Sequence, residues 1–262
     1  MPKINASVSF TARDYALLYY IWQNRLMTTR HFIAKFWPGV SKQAAALRLK
    51  RLREAKLINH VELPWLKERV LYTASKAGNQ ALCGAGLLDA KFIDDYPRRP
   101  QDFTESMKHD LQVVDVRIAF EGSGAVDDWV SDHEMRLARR SDGLSSRTPD
   151  GVFALETNAG ALEVVLELER IAYRKTKFVA ILSRLRAHYP AATVMFVTRS
   201  KERIRNMQAW AKAGGSWDDR PDGLLFATYE DALEDGLDAP WEDMEARLAV
   251  WRPKNASSGA PV

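Results

Sequence analysis

The sequence has few of the residues and segments that several classes of protein require. It contains one cysteine, Cys83, among 262 residues, which excludes an internal disulfide framework and a cysteine-based zinc site. No stretch approaches 18 apolar residues, and segment 1–15 has no apolar run typical of export signals. The five histidines show no metal-ligand spacing, and no glycine-rich phosphate loop is present. We therefore expect a cytoplasmic protein that uses no cofactor and does not associate with a membrane.

The charged residues divide the chain into two modules. Residues 1–82 contain 14 Lys and Arg against four Asp and Glu, a net charge of +10. Residues 83–262 contain 24 basic and 30 acidic residues, a net charge of −6. A basic module joined to a slightly acidic one is typical of a protein that contacts a polyanion through one domain. The asymmetry predicts that the N-terminal module binds nucleic acid.

The first module begins with three predicted helices. The first spans 9–24, with Thr11 as N-cap and Asp14 as its capping-box partner. A short second helix follows the Thr28-Thr29 pair and ends before Pro38-Gly39. The third begins after Ser41 as N-cap and continues through a segment rich in Leu, Lys and Arg.

A β-hairpin follows these helices. Apolar and polar residues alternate on either side of Pro64-Trp65, and Thr73 is expected to cap a further short helix. Together, the pattern RLKRLREAKLI…RVLYTASKAG resembles the winged helix-turn-helix domains of bacterial regulators. The resemblance implies a DNA-binding domain over residues 1–82.

The third helix would be the recognition helix of that domain. Ala45, Leu49 and Leu52 share one face, which we expect in the core. The opposite face contains Gln43, Leu47, Lys50, Arg51 and Glu54. A merely solvated basic face and a protein-docking face are the alternatives. In the major groove we expect the Gln43 amide to pair with an adenine edge and Arg51 to bind guanine or phosphate. Leu47 would contact a thymine methyl group. The residues expected to contact double-stranded DNA are Lys42, Gln43, Leu47, Arg48, Lys50 and Arg51 on the helix and Lys67 and Arg69 on the wing.

The second module predicts an α/β domain. Segment 83–103 is irregular and rich in Gly, Pro and opposed charges, so we interpret it as a linker. Residues 104–230 predict a mixed sheet covered by helices, which makes the whole chain α+β. Residues 231–251 predict an acidic helical element that could dock a protein partner, and 252–262 predict a disordered tail. The elements expected between 104 and 230 are helices at 104–120, 172–189 and 201–214 and strands at 129–133, 151–157, 161–169, 192–198 and 223–229. The strands at 151–157 and 161–169 are expected to pair across a short turn, and the helix at 172–189 should bury the stripe Phe178, Ile181, Leu182 and Leu185.

The order of these elements resembles the restriction-endonuclease core. Pro149-Asp150 and Glu167-Leu168-Glu169 stand where such nucleases have Pro-Asp and Asp/Glu-x-Lys. The chemistry requires carboxylates that hold Mg²⁺ and a lysine that helps to activate water. The resemblance implies Asp150, Glu167 and Glu169 as metal or catalytic residues. Because a glutamate replaces the lysine, Lys175 or Lys177 would have to supply the cation. A working Mg²⁺ site, a degenerate nuclease fold used for binding or dimerisation, and an unrelated α/β arrangement all stay open.

The combined pattern is similar to the replication-relaxation family of bacterial mobile-element proteins. It joins a winged helix, HDLQVVDVR at 109–117 and PDG…LELER…KTKFVAILSRLRAHY, over about residues 8–215. The resemblance implies a plasmid or integrated-element protein. We expect a non-enzymatic, sequence-specific double-stranded DNA-binding transcriptional regulator that acts as a homodimer, because one recognition helix contacts few base pairs. The alternatives are a Mg²⁺-dependent nuclease or replication and mobilisation accessory, and a module that recruits a protein partner through its acidic C-terminal segment.

Overall fold

The structure, a computed structural model, describes residues 10–63, 70–97, 106–141, 148–158, 160–169, 171–215 and 217–249. It has the predicted α+β class. The helices are Ala12–Asn24 (α1), Thr29–Phe36 (α2), Lys42–Glu54 (α3), Lys76–Gly84 (α4), Ser106–Glu121 (α5), Asp132–Ser141 (α6), Lys175–His188 (α7), Lys201–Gly214 (α8) and Tyr229–Glu234 (α9). The strands are Met27–Thr28 (β1), Ile58–Glu62 (β2), Val70–Ala74 (β3), Val126–Ser131 (β4), Gly151–Thr157 (β5), Gly160–Leu168 (β6), Thr193–Thr198 (β7) and Leu224–Thr228 (β8).

The chain divides into two compact units, Met1–Val114 and Asp115–Val262. The boundary therefore lies inside α5 rather than in the predicted linker at 83–103. Among the described residues, none of the helices has the length and apolar content needed to cross a membrane.

Local capping signals set the starts of α1 and α3, as predicted. The Thr11 hydroxyl accepts a hydrogen bond from the Asp14 amide (3.2 Å), and the Asp14 carboxylate accepts one from the Thr11 amide (2.7 Å). The Ser41 hydroxyl accepts a hydrogen bond from the Ala44 amide (3.3 Å) at the start of α3. Each bond satisfies an amide that the helix itself cannot pair. The strand β1, which the sequence did not predict, adds to the hairpin to give an antiparallel sheet of order β1-β3-β2.

The hairpin and the helix after it differ from prediction in one cap. Thr73 pairs with Asn59 inside the sheet, and Ser75 caps α4 by accepting a hydrogen bond from the Gly78 amide (3.0 Å). A β-carbon at Gly78 would overlap the Leu57 carbonyl oxygen, so α4 packs directly against the chain that leaves α3. The predicted hairpin tip at 64–69 lies outside the described residues.

The first part of the predicted linker is packed against the first unit. It forms a 3₁₀ turn at Ala90–Phe92, and the Phe92 ring lies 5.7 Å from the Trp22 ring. The Asn79 side-chain amide donates to the carbonyls of Phe92 (3.1 Å), Ile93 (3.3 Å) and Asp95 (3.1 Å). The buried Asn79 side chain thus satisfies these carbonyls by hydrogen bonds, so this part of 83–103 is a structured extension of the first unit.

The second unit is built on a mixed sheet of order β4-β5-β6-β7-β8. Strands β4, β5 and β6 pair antiparallel, and β6, β7 and β8 pair parallel. The predicted core stripe of α7 is buried against the sheet together with residues of α8, which confirms the helical period of that segment. The stripe consists of Phe178, Ile181, Leu182 and Leu185.

Two elements of the second unit differ from prediction. The strand expected at 129–133 is Val126–Ser131, and a helix that the sequence did not predict, α6, begins at Asp132. The Glu134 carboxylate accepts hydrogen bonds from the Ser131 amide (2.8 Å) and hydroxyl (2.9 Å), and these bonds start the helix. The segment 231–251 is not one helix either. Glu242 exchanges two backbone hydrogen bonds of 2.9 Å with Phe226, which makes it a short extension of the sheet.

Candidate nucleic-acid interface

The two faces of α3 are separated as the sequence predicted. Ala45, Leu49 and Leu52 are fully buried. Gln43 is exposed on the opposite face, and Leu47 keeps 50% of its surface in solvent. The same face also contains Lys50, Arg51 and Glu54, and Lys42 is exposed at the start of the helix.

An ion pair fixes α3 to the start of α1. The Arg48 guanidinium binds the Asp14 carboxylate through both nitrogens, with Nε 2.8 Å from Oδ1. Asp14 is only 2% exposed. Burial raises the pKa of Asp14, but hydrogen bonds from Arg48 and Thr11 outweigh it, so the pKa lies below its ordinary value. Arg48, which the sequence predicted as a DNA contact, is therefore engaged inside the unit and orients α3.

Four of the remaining predicted helix contacts, Gln43, Leu47, Lys50 and Arg51, share one outward surface. Gln43, Leu47 and Arg51 follow one another at intervals of four residues, so they form a row about 12 Å long. That length corresponds to about three or four base pairs of B-DNA. Lys50 lies beside this row, 3.9 Å from Glu54 in an exposed pair that constrains it little. The predicted wing contacts Lys67 and Arg69 lie outside the described residues.

The predicted nuclease carboxylates of the second unit are buried and bonded to protein groups. Asp150 accepts a 2.7 Å hydrogen bond from the Leu168 amide and so joins the start of β5 to β6. Glu167 is also buried, at 2% exposure. Glu169 accepts hydrogen bonds from the Thr198 hydroxyl (2.8 Å) and the Tyr173 amide (2.7 Å).

The cation beside Glu169 is Arg203 of α8 rather than the lysine that the nuclease comparison would require. Arg203 Nε lies 2.7 Å from Glu169 Oε2, and a second guanidinium nitrogen contacts Oε1. Lys175 and Lys177 are exposed on α7, the latter 4.9 Å over the Tyr173 ring. Sequence reasoning missed Arg203 because it lies 34 positions after its partner, and no local pattern links the two.

A further acid, Asp132 at the start of α6, lies in the field of Asp150. Burial raises the pKa of Asp132 above its ordinary value, and the Asp150 charge adds to the rise against the effects of Thr148 and Arg136. Even so, no group of three or more His, Cys, Asp or Glu side chains is placed to hold a metal ion in the part of the chain that the structure describes. Asp150 and Glu169 therefore serve internal contacts within the second unit.

No protein-family model, curated protein or solved structure matches the chain. The similarities to winged-helix regulators, to the restriction-endonuclease core and to the replication-relaxation family stay predictions. Function has to be inferred from the residues themselves.

Proposed function

We propose that the protein is a sequence-specific double-stranded DNA-binding regulator that places α3 in the major groove. The observation that carries the proposal is the division of α3 into a fully buried apolar face and an exposed row of Gln43, Leu47 and Arg51. An amide, an apolar group and a guanidinium can contact an adenine edge, a thymine methyl group and a guanine edge, respectively. The charge of +10 over residues 1–82 supplies the attraction to phosphates.

The order of elements supports a winged-helix interpretation of the first unit. Helices α1, α2 and α3 are followed by the β2–β3 pair, and α3 is the helix with the most basic exposed face. In helix-turn-helix proteins such a helix enters the groove while its neighbours contact the backbone. A plasmid or integrated-element regulator that binds as a homodimer is the corresponding biological proposal.

For the second unit we propose a degenerate restriction-endonuclease-like domain that serves dimerisation or effector binding. Apart from α6, which lies between β4 and β5, three antiparallel strands are followed by a helix, a parallel strand, a helix and a parallel strand, and this is the order that the sequence predicted. The nuclease alternative would use Asp150, Glu167 and Glu169 on Mg²⁺. It is disfavoured because both oxygens of Glu169 are engaged by protein donors.

The test is selection of bound fragments from a randomised DNA pool at about 150 mM salt, followed by sequencing. We expect an enriched motif, with two-fold symmetry if the protein is a dimer. Uniform recovery that fades as salt rises would contradict sequence-specific binding. Mg²⁺-dependent nicking that Glu167→Ala abolishes would establish the nuclease instead.

Substitution on α3 then assigns the contact. Arg51→Ala should weaken binding to the selected motif by about 1–3 kcal/mol, or roughly 5- to 150-fold, and relax the preference at one base pair. Lys91→Ala, which removes the same charge from an exposed position outside α3, is the matched control. Equal losses for the two variants, or equal losses on all sequences, would show that Arg51 does not contact a base.

A further inference from the structure

Several basic side chains along the second unit are neutralised by acids. Arg136 pairs with Asp132 (2.6 Å), and Lys201 pairs with Asp231 (3.1 Å). Arg247 pairs in the same way with an acid of its own segment. Of the exposed Lys and Arg residues of the second unit that have no acid partner within the described residues, Arg205 and Lys212 lie on α8, and four others lie close to the ends of β6 and β7. These four, which we call the basic edge, are Arg174, Lys175, Lys177 and Arg199.

Because β6 and β7 are parallel, the basic edge lies where the C-terminal ends of the two strands meet. The Glu169 amide donates to the Val197 carbonyl (2.8 Å), so the two chains leave the sheet side by side. Arg199 directly follows β7, Arg174 ends the segment that leads from β6 into α7, and Lys175 and Lys177 lie in the first turn of α7. Side chains at the same ends of adjacent parallel strands share one edge of the sheet.

Buried contacts hold this segment in place. Glu169 accepts a hydrogen bond from the Tyr173 amide (2.7 Å), and Arg203 donates to the Tyr173 carbonyl (2.6 Å). With Glu169 3% and Arg203 13% exposed, the pair ties the segment to α8 from inside. The basic edge is therefore displayed on a fixed backbone. Ile171, 65% exposed, lies on the same segment.

We propose that the basic edge is a second DNA-contact surface that binds phosphodiester groups of the duplex backbone. Four cations without local acids, held on a fixed backbone, suit a row of phosphates. The net charge of −6 over residues 83–262 would oppose a broad anionic surface such as a membrane, but a narrow duplex can touch the edge alone. Phosphate contacts carry no sequence information, so this surface adds affinity and salt dependence while α3 supplies selectivity.

The test compares two double variants of the full chain by fluorescence anisotropy on a duplex of unrelated sequence, between 50 and 200 mM salt. Lys175→Gln/Arg199→Gln removes two charges from the basic edge. Arg184→Gln/Lys212→Gln removes two from the distal part of α7 and the end of α8. The slope of log K against log salt should become shallower by about 2 in the first variant, since each phosphate contact contributes about 0.9. The control should keep the native slope. Equal slopes for both variants would overturn the proposal.

The proposal concerns the second unit and can fail independently of the function proposed for α3. In a Gln43→Ala/Arg51→Ala background, the basic-edge variant should still make the salt slope shallower, even if α3 contacts no bases. Conversely, if the α3 substitutions alone have no effect on binding, the function proposed for α3 fails while the proposal for the basic edge still stands. Co-sedimentation with phosphatidylserine vesicles that Lys175→Gln/Arg199→Gln abolishes, without an effect on DNA, would assign the edge to lipid and refute the proposal.

Discussion

Removal of the Glu169 carboxylate distinguishes two interpretations of this residue, as the structural partner of Arg203 and as a ligand of a metal site. In the structure this side chain is 3% exposed and neutralises Arg203 while pairing the Thr198 hydroxyl and the Tyr173 amide. In the metal-site interpretation it would be one of several carboxylates that repel one another until a cation binds. Glu169→Ala should therefore destabilise the second unit in the first case and have little effect on the metal-free protein in the second.

The expected magnitude follows from what the variant leaves behind. Arg203 would remain 87% buried without its anion, because its side chain is 13% exposed, and a buried hydroxyl and amide would lose their acceptor. Breaking a buried ion pair from one side costs about 3–5 kcal/mol. Since about 1.4 kcal/mol is a factor of ten, the opening equilibrium should shift by between about a hundredfold and a few thousandfold.

Hydrogen exchange followed by mass spectrometry measures this shift in the unit concerned. Peptides that cover β7 should exchange faster by that factor in Glu169→Ala, while peptides from α3 in the other compact unit provide an internal reference. Glu163→Ala is the matched control, because Glu163 is an exposed glutamate of the same strand and should shift exchange by less than about 0.5 kcal/mol.

An exchange rate in Glu169→Ala within tenfold of the native rate, or equal to that of Glu163→Ala, would refute the structural role. The refutation would be complete if the same variant also lost Mg²⁺-dependent nicking. A large shift without any nuclease activity in the native chain would assign Glu169 to the fold.

Three further perturbations have expected outcomes. Arg48→Ala should destabilise the first unit by about 2–3 kcal/mol in thermal denaturation at pH 7, because the buried Asp14 carboxylate loses its guanidinium donors. Because folding lowers the pKa of Asp14, the full destabilisation should be seen above about pH 4 and should diminish as the pH falls further. Gly78→Ala should cost about 1–3 kcal/mol, whereas Gly84→Ala in the same helix has open space and should be neutral or slightly stabilising; equal effects would contradict the close approach of α4. Asp132→Asn should stabilise the second unit at pH 7 but not below about pH 4 in urea denaturation, because a raised pKa means that ionisation opposes folding as the pH rises; a gain that persists at low pH would contradict this.

Local patterns predicted much of the secondary structure. The caps at Thr11 and Ser41, the core stripe of α7 and the β5–β6 pair were read correctly because each depends on residues a few positions apart. The same kind of signal was missed at Ser131, where a serine and a glutamate three residues later start α6. At this point a strand pattern runs directly into a capping box. The alternation of apolar and polar residues alone does not show where the strand ends and the helix begins.

The interpretation of the C-terminal segment failed for a different reason. Its composition predicted an acidic helical element that could dock a protein partner. Leu237, Trp241 and Met244 are instead buried in the second unit, and Glu242 extends the sheet. Sequence spacing shows which residues can share a face. It does not show that they pack against the sheet edge formed by β8.

The sequence by itself determined the charge asymmetry and the two faces of α3, because net charge is a sum over residues and a helical face follows from a fixed period. Only the tertiary structure decided the fate of the charged groups. Arg48 is bound to Asp14, 34 positions away, and Glu169 to Arg203, also 34 positions away. Whether a charge is exposed or buried and paired depends on which distant elements pack around it, and the cost of burial then selects its partner.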